Sequence, residues 1–368
     1  MRIALVHDYL IQYGGAERVL ETLMEIFPEA PVYTLMHDRE RTGDRFYGRI
    51  AATSFLDFPL ARRSHRWFIP LMPLAARSLN LKDKYDLIIS DTAGFAKGVR
   101  YEAKSKHIAY IHTPLRYAWE QEEYLPGVIS KWQMVIGKPI LSYLKNWDYK
   151  AAKRPNVVIA NSQFIGGKIH KYYGREASVI YPPVDTSKFY YDNDYDHGQS
   201  GVYFLAIGRL LHYKRFDLVI EAFAKSGLPL KIVGSGPEYK NLGSKIQNLK
   251  IRNIELLPFV KSEEELRTLY SRARALVFPQ VEDFGLVAAE AQACGTPVIA
   301  YAAGGALEIV QAGRTGVFFS GQTAESLIDA VNRLDKLKLN RSNIAKAARK
   351  FSKEAFKKEL LDLVGGLC

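Results

Sequence analysis

Short β-rich apolar runs alternate with amphipathic helical stretches along this chain, and they do so in two successive series. That alternation constrains the fold more than any other feature. The first series opens with Arg2-Ile3-Ala4-Leu5-Val6-His7 and passes into a helical stretch carrying Leu20, Leu23, Met24 and Phe27 on one face. Further strands are predicted over 32–35, 86–90, 107–112, 157–161 and 179–181, and a second series over 203–208, 230–234, 254–257, 275–278 and 297–301. Runs this short between helices belong to buried parallel sheets covered on both faces, so the chain reads as α/β with two doubly wound halves. Tyr181-Pro182-Pro183-Val184-Asp185 and the aperiodic polar tract after it separate the halves near residue 185. Ligands of such sheets sit beyond the carboxyl ends of the strands, and two halves facing each other form a cleft.

At 368 residues and 48% hydrophobic, the chain can bury two cores. Its longest apolar run, 68–76, contains Pro70 and Pro73 and falls far short of the about 20 residues that a spanning helix needs. Met1-Arg2 leads straight into a strand without a signal-peptide core, which reads as a cytoplasmic start. Cys294 and Cys368 form neither a disulfide framework nor a metal-ligand spacing. The net charge of +12 implies an anionic partner: nucleic acid, a lipid surface or a phosphorylated small molecule. Residues 39–106 carry +7, as does the whole of 1–185, so the first half's excess lies in one segment.

Three segments that follow strands carry chemistry. Gly14-Gly15-Ala16-Glu17-Arg18 opens a helix, where backbone N–H groups and the helix dipole suit a phosphate, although a plain helix start fits the same residues. Gly208-Arg209-Leu210-Leu211-His212-Tyr213-Lys214-Arg215 offers a guanidinium fork and a point charge, a pair suited to a diphosphate; a solvated basic loop is the alternative. In the third segment Phe278-Pro279 ends a strand, Glu282 lies in an acidic loop, and Glu290 sits among alanines on a helix that closes at Gly295. Carboxylates accept from sugar hydroxyls, and a charge on a buried helix needs a partner. His112, in Ile111-His112-Thr113-Pro114, ends a strand and by itself fits a structural role.

Taken in order, Gly14-Gly15, Gly208-Arg209 with Lys214, Glu-x7-Glu at Glu282 and Glu290, and Gly295-Thr296-Pro297-Val298 closely resemble the retaining GT-B glycosyltransferases of family 4. The resemblance spans essentially the whole chain. It implies two Rossmann-like domains facing each other across a cleft: 1–185 for the acceptor, 186–343 for a nucleotide-sugar donor, and a C-terminal helix, 344–368, crossing back onto the first domain. It implies that Arg209 and Lys214, after Gly208, hold the donor diphosphate. Glu282, Asp283 and the Phe284-Gly285-Leu286 backbone bind the donor sugar, and Glu290 holds the ribose. Gly14 and Gly15 touch the phosphate, His112 lies near the donor sugar, and Val260 falls in the base-binding segment. His7-Asp8-Tyr9 and Tyr110-Ile111-His112-Thr113-Pro114-Leu115-Arg116-Tyr117 resemble the subset of mannosyltransferases that builds O-antigen and similar lipopolysaccharide chains, which implies GDP-mannose as donor. UDP-sugars and other GDP-sugars are the alternatives. Retention is expected through same-face attack in which the leaving diphosphate takes the acceptor's proton, with Arg209, Lys214 and a helix N-terminus stabilising the developing charge.

Asp192-Asn193-Asp194 fits the metal-binding Asp-x-Asp of other sugar-transfer folds, but no strand precedes it; it reads as solvated linker, and no essential metal or cofactor is expected. Gly234-Ser235-Gly236 lacks the third glycine of a dinucleotide fingerprint and reads as a turn beside the nucleotide. Without zinc spacing, an aromatic RNP-like stretch or a basic helix, nucleic acid is not expected as partner. Residues 55–77 interleave Phe55, Phe58, Trp67 and Phe68 with Arg62, Arg63, Arg66 and Arg77. They suit docking at an anionic membrane that presents a polyprenyl-diphosphate-linked acceptor, and equally a core-packing helix pair with a solvated cationic face. The last segment, Ile344 to Leu363, reads as one amphipathic helix.

Overall fold

The computed structural model describes residues 1–81, 85–120, 131–192 and 201–367. The chain divides into two compact units, Met1–Pro182 with Lys357–Cys368, and Pro183–Phe356. Asn193 and Asp194 of the Asp-x-Asp sequence lie outside the described residues.

The first unit contributes strands β1 (Ile3–His7), β2 (Val32–Thr34), β3 (Ile50–Thr53), β4 (Asn80–Leu81), β5 (Leu87–Thr92), β6 (Arg100–Tyr101), β7 (Lys106–Ile111), β8 (Val157–Ala160) and β9 (Ser178–Val179). Seven of these form a sheet in the order β3-β2-β1-β5-β7-β8-β9, while β4 and β6 pair separately. Neighbours in the sheet run parallel, and β1 and β5 register His7 opposite Asp91. Strand order reverses between β1 and β5, the switch point at which doubly wound sheets bind ligands. The helix Gly15–Ile26 packs Val19, Leu20, Leu23 and Met24 inward. One core collects Ala4, Val6, Ile88 and Phe95 with Leu56, Ala61, Met72, Ala75 and Ala76, so residues 55–77 do supply part of the interior. Their outer face is not buried: Leu60, Trp67, Leu71 and Leu74 are exposed beside the exposed Arg63, Arg66 and Arg77.

The second unit repeats the plan with β10 (Tyr203–Ile207), β11 (Leu230–Val233), β12 (Ile254–Leu257), β13 (Ala273–Phe278), β14 (Val298–Tyr301) and β15 (Gly316–Phe319), ordered β12-β11-β10-β13-β14-β15 and all parallel. Its switch point lies between β10 and β13. The expectation of two doubly wound α/β halves therefore holds, with β3, β15 and the β4–β6 pair added to the strands read from the sequence.

The single helix expected over Ile344 to Leu363 is a correction. Two helices, Arg341–Ala348 and Lys353–Gly365, flank a 3-10 turn at Arg349–Phe351. The Val184 N–H donates to the Phe351 carbonyl and the Lys353 N–H to the Val184 carbonyl, which draws the backbone out of helical bonding. Ser352 then restarts the helix by accepting from the Ala355 N–H at 3.2 Å.

Candidate active site

In the second unit the two basic and acidic segments follow adjacent strands at the switch point. After β10 the chain passes through Gly208 and the exposed Arg209 into a short 3-10 turn, His212–Lys214. After β13 it forms the Pro279–Gly285 loop and enters the helix Leu286–Ala293. Lys214 Nζ lies 2.8 Å from Glu282 Oε1, with both side chains partly open to solvent. The structure thus joins the expected diphosphate cation to the expected sugar-binding carboxylate. A cation bonded to a carboxylate keeps further donor directions free, because an ammonium has three N–H groups.

The turn after β11 explains the nearby glycines. A Cβ at Gly234 would stand 2.0 Å from the Gly208 carbonyl oxygen, and one at Gly236 would stand 2.4 Å from that of Leu210. Leu210 N–H donates to Ser235 O at 2.9 Å, and Glu238 N–H to Leu210 O at 3.1 Å. Gly234-Ser235-Gly236 is therefore a backbone buttress under the Gly208-Arg209-Leu210 loop. Arg215, the next residue after Lys214, donates from Nη1 to Gln322 Oε1 at 2.7 Å, and Gln322 Nε2 donates to Pro279 O at 3.1 Å, tying the two loops together.

Gly285 begins the helix Leu286–Ala293 and has no side chain to cap it. N–H groups in a helix's first turn have no partner within the helix and favour negative charge. Phe284 is buried, its ring edge-on to Phe351 at 5.3 Å, so its side chain serves the core and only its backbone faces the loop chemistry. The Glu282 carbonyl accepts from Gly305 N–H at 2.9 Å, which fixes the loop from the β14 side. Glu290 is 2% exposed, and the Tyr270 hydroxyl donates to its Oε2 at 3.0 Å. This hydroxyl is one hydrogen-bond partner of the carboxyl that the helix buries. Val260 follows β12, which β11 separates from β10, beside the exposed Phe259. Gln280 was not singled out from the sequence: it is buried in the loop after β13, and its Oε1 has no hydrogen-bond partner among the described residues.

In the first unit Gly14 precedes the helix Gly15–Ile26, and its N–H already donates to Glu17 Oε2 at 2.8 Å. His112 follows β7, with its Nε2 2.5 Å from Asp91 Oδ1. His7 Nδ1 is 2.8 Å from the other oxygen, Asp91 Oδ2. Burial alone would lower the pKa of His7, but the hydrogen bond to Asp91 and the negative charge of Glu17, 3.9 Å away, outweigh it and push it up to about 10. Burial alone would raise Asp91; His112 and His7 outweigh it and hold the carboxyl below its ordinary range. Asp8 accepts from Thr92 Oγ1 and from the N–H groups of Ala93, Phe95 and Ala96 at 2.6–2.9 Å, which shapes the loop after β5. Asp91 did not stand out in the sequence, its only signal being its place at the end of a β-rich run, and Asp8 appeared only within His7-Asp8-Tyr9, with no role of its own.

Residues 13–188 match the family model Glycosyltransferase Family 4 and residues 191–351 match Glycosyl transferases group 1. Only 189 and 190 fall between the two, and the chain belongs to the family 4 (group 1) glycosyltransferases. Among curated relatives, an uncharacterized glycosyltransferase of Methanocaldococcus jannaschii is 29% identical over 55% of this chain and 56% of that protein. A D-inositol 3-phosphate glycosyltransferase of Mycobacterium tuberculosis is 37% identical over 36% of this chain and 29% of that protein. The match thus spans about half of the first relative and under a third of the second. Among solved structures, HepE of Anabaena in complex with UDP is 20% identical with a TM-score of 0.75, covering 100% of both chains. Sucrose-phosphate synthase of Thermosynechococcus elongatus is 17% identical with a TM-score of 0.69, covering 100% of this chain and 99% of that one. At those identities the likeness establishes the fold, which is GT-B.

Proposed function

We propose that the protein is a retaining glycosyltransferase that moves mannose from GDP-mannose to a polyprenyl-diphosphate-linked glycan during cell-surface polysaccharide synthesis. The observation that carries the transferase reading is the Lys214–Glu282 pair at the switch point of the second unit, beside the uncapped N-terminus of the helix Leu286–Ala293. In this reading Arg209 and Lys214 bind the diphosphate, Glu282 accepts from a donor-sugar hydroxyl, and Glu290, held by Tyr270, accepts from the ribose. His112 acts at the donor sugar, and the Gly14-Gly15 turn serves the phosphate. The bond from the anomeric carbon to the leaving diphosphate oxygen breaks while the acceptor oxygen attacks the same face. The acceptor's proton passes to the diphosphate, so no protein base is needed. The two cations stabilise the departing charge without an essential metal.

GDP-mannose follows from the resemblance of the segments at His7 and Tyr110 to mannosyltransferases. A UDP-sugar donor is the second reading, favoured by the UDP and UDP-glucose bound in HepE. A donor screen with a lipid-linked acceptor mixture, read by product mass, separates them. Hexose transfer from GDP-mannose is expected; transfer from UDP-sugars alone replaces the donor, and no transfer from any nucleotide sugar rejects the function.

The acceptor reading draws on the outer face of residues 55–77, where Trp67 is 81% exposed and Leu60 62% exposed among three exposed arginines. Aromatic and aliphatic groups mixed with arginines suit an anionic headgroup layer, at about 1 kcal/mol per basic residue. The proposed association is peripheral; among the described residues no helix is long and apolar enough to cross a membrane. Flotation with anionic liposomes is expected at low salt and should weaken in high salt and in Trp67→Ala. No binding to any liposome removes the membrane part of the proposal.

A further inference from the structure

Unpaired ions are costly inside a protein, and buried pairs are poor sources of stability. The first unit nevertheless keeps a row of four titratable side chains that crosses the ends of β1, β5 and β7 and reaches the first turn of the helix Gly15–Ile26. Asp91 stands in the middle, fully buried, with an imidazole on each carboxylate oxygen: His7 Nδ1 at 2.8 Å and His112 Nε2 at 2.5 Å. His7 continues the row from its other nitrogen, 3.9 Å from Glu17 Oε1, and Glu17 holds the Gly14 N–H. The side chains of Asp91, His7 and Glu17 are 0–4% exposed, whereas that of His112 is 12% exposed. The row therefore opens to solvent at one end, and that end is His112.

We infer that Asp91 and His7 are positioning residues that fix the ring orientation and tautomer of His112. The inference rests on the reading of His112 as a donor-sugar contact. An ionised carboxylate can only accept, so Asp91 assigns the proton of the His112 hydrogen bond to Nε2. Nδ1 is then the ring atom left for a ligand. His7 donates to the second carboxylate oxygen and keeps Asp91 ionised; the elevated basicity of His7 and the lowered pKa of Asp91 agree with that division. The Tyr110 ring, edge-on to His112 at 5.2 Å, closes one side of the imidazole. An imidazole held in this way meets a sugar hydroxyl without first paying to order itself.

Two readouts on the full-length protein test this. In ring-15N NMR, wild-type His112 is expected to carry its proton on Nε2, and Asp91→Asn should shift the ring signals toward a mixture of tautomers. His7→Leu, which takes the donor from Asp91 and leaves the carboxylate, should move the same signals and serves if Asp91→Asn does not fold. In steady-state kinetics with GDP-mannose, Asp91→Asn should lower kcat about tenfold or more while leaving donor KM nearly unchanged. In a His112→Ala background, Asp91→Asn should add no further loss. His112 ring signals that stay put in both variants, or an equal kcat loss from Asp91→Asn in both backgrounds, would overturn the inference. Absence of any sugar transfer by the wild-type protein would instead count against the proposed function, and the NMR measurement would still decide the role of Asp91.

Discussion

Replacing Lys97 with alanine destabilises the first unit by about 3–5 kcal/mol, the cost of stranding one member of a buried ion pair. Lys97 and Asp148 are both 0% exposed, and Nζ lies 2.6 Å from Asp148 Oδ1. Asp148 Oδ2 also accepts from Trp119 Nε1 at 2.8 Å and from the Tyr173 hydroxyl at 2.6 Å. Lys97 further donates to the Gly94 carbonyl, so one ammonium ties the loop after β5 to the helices Lys131–Ala152 and Gln163–Tyr173. Alanine removes the cation and leaves a carboxylate that two neutral donors do not neutralise. The paired change Lys97→Met with Asp148→Asn removes both charges and keeps an acceptor for Trp119 and Tyr173, so it should recover much of the loss. Urea unfolding of the single and double variants measures this. A loss below about 1 kcal/mol in Lys97→Ala would mean that the pair is not desolvated as described.

The strand plan was legible because buried parallel strands are short apolar runs, and all eleven predicted runs lie on observed strands of the two main sheets. The strands that escaped lack that signature for definite reasons. Ile50-Ala51-Ala52-Thr53 is a sheet edge with two exposed alanines, which favour strands weakly, so only Ile50 and Thr53 mark it. Gly316-Val317-Phe318-Phe319 opens with a glycine, which ordinarily argues against a strand, yet a Cβ there would lie 2.0 Å from the Val298 carbonyl oxygen. The C-terminal helix was misread as continuous because its apolar spacing carries on through Arg349–Phe351, while the break is imposed by Val184, more than 160 residues earlier in the chain.

The candidate site was legible where its residues are local in sequence. Lys214 and Glu282 each stood out by place after a strand, and adjacency of β10 and β13 brings them within bonding distance. The His7–Asp91–His112 row was not legible, since it depends on the register of β1 against β5 over 84 residues and on a carboxylate with no motif around it. Glu290 shows an intermediate case: its burial called for a partner, but only the packing of the helix Glu263–Arg272 reveals that Tyr270 is one.

In the proposed mechanism two cations after β10 stabilise the departing diphosphate. Turnover of Lys214→Ala and Arg209→Ala, under saturating donor and acceptor, tests that most directly. Each should lower kcat about 10²–10³-fold, the loss typical of removing one preorganised charge-stabilising group. Donor affinity should fall by less, because the charge develops in the transition state. Lys214→Ala also strands Glu282 beside an anionic ligand, so Lys214→Ala with Glu282→Gln is the control; if the missing cation is what matters, the double variant stays slow. Near wild-type kcat in either single variant, or full recovery in the double, would contradict the account.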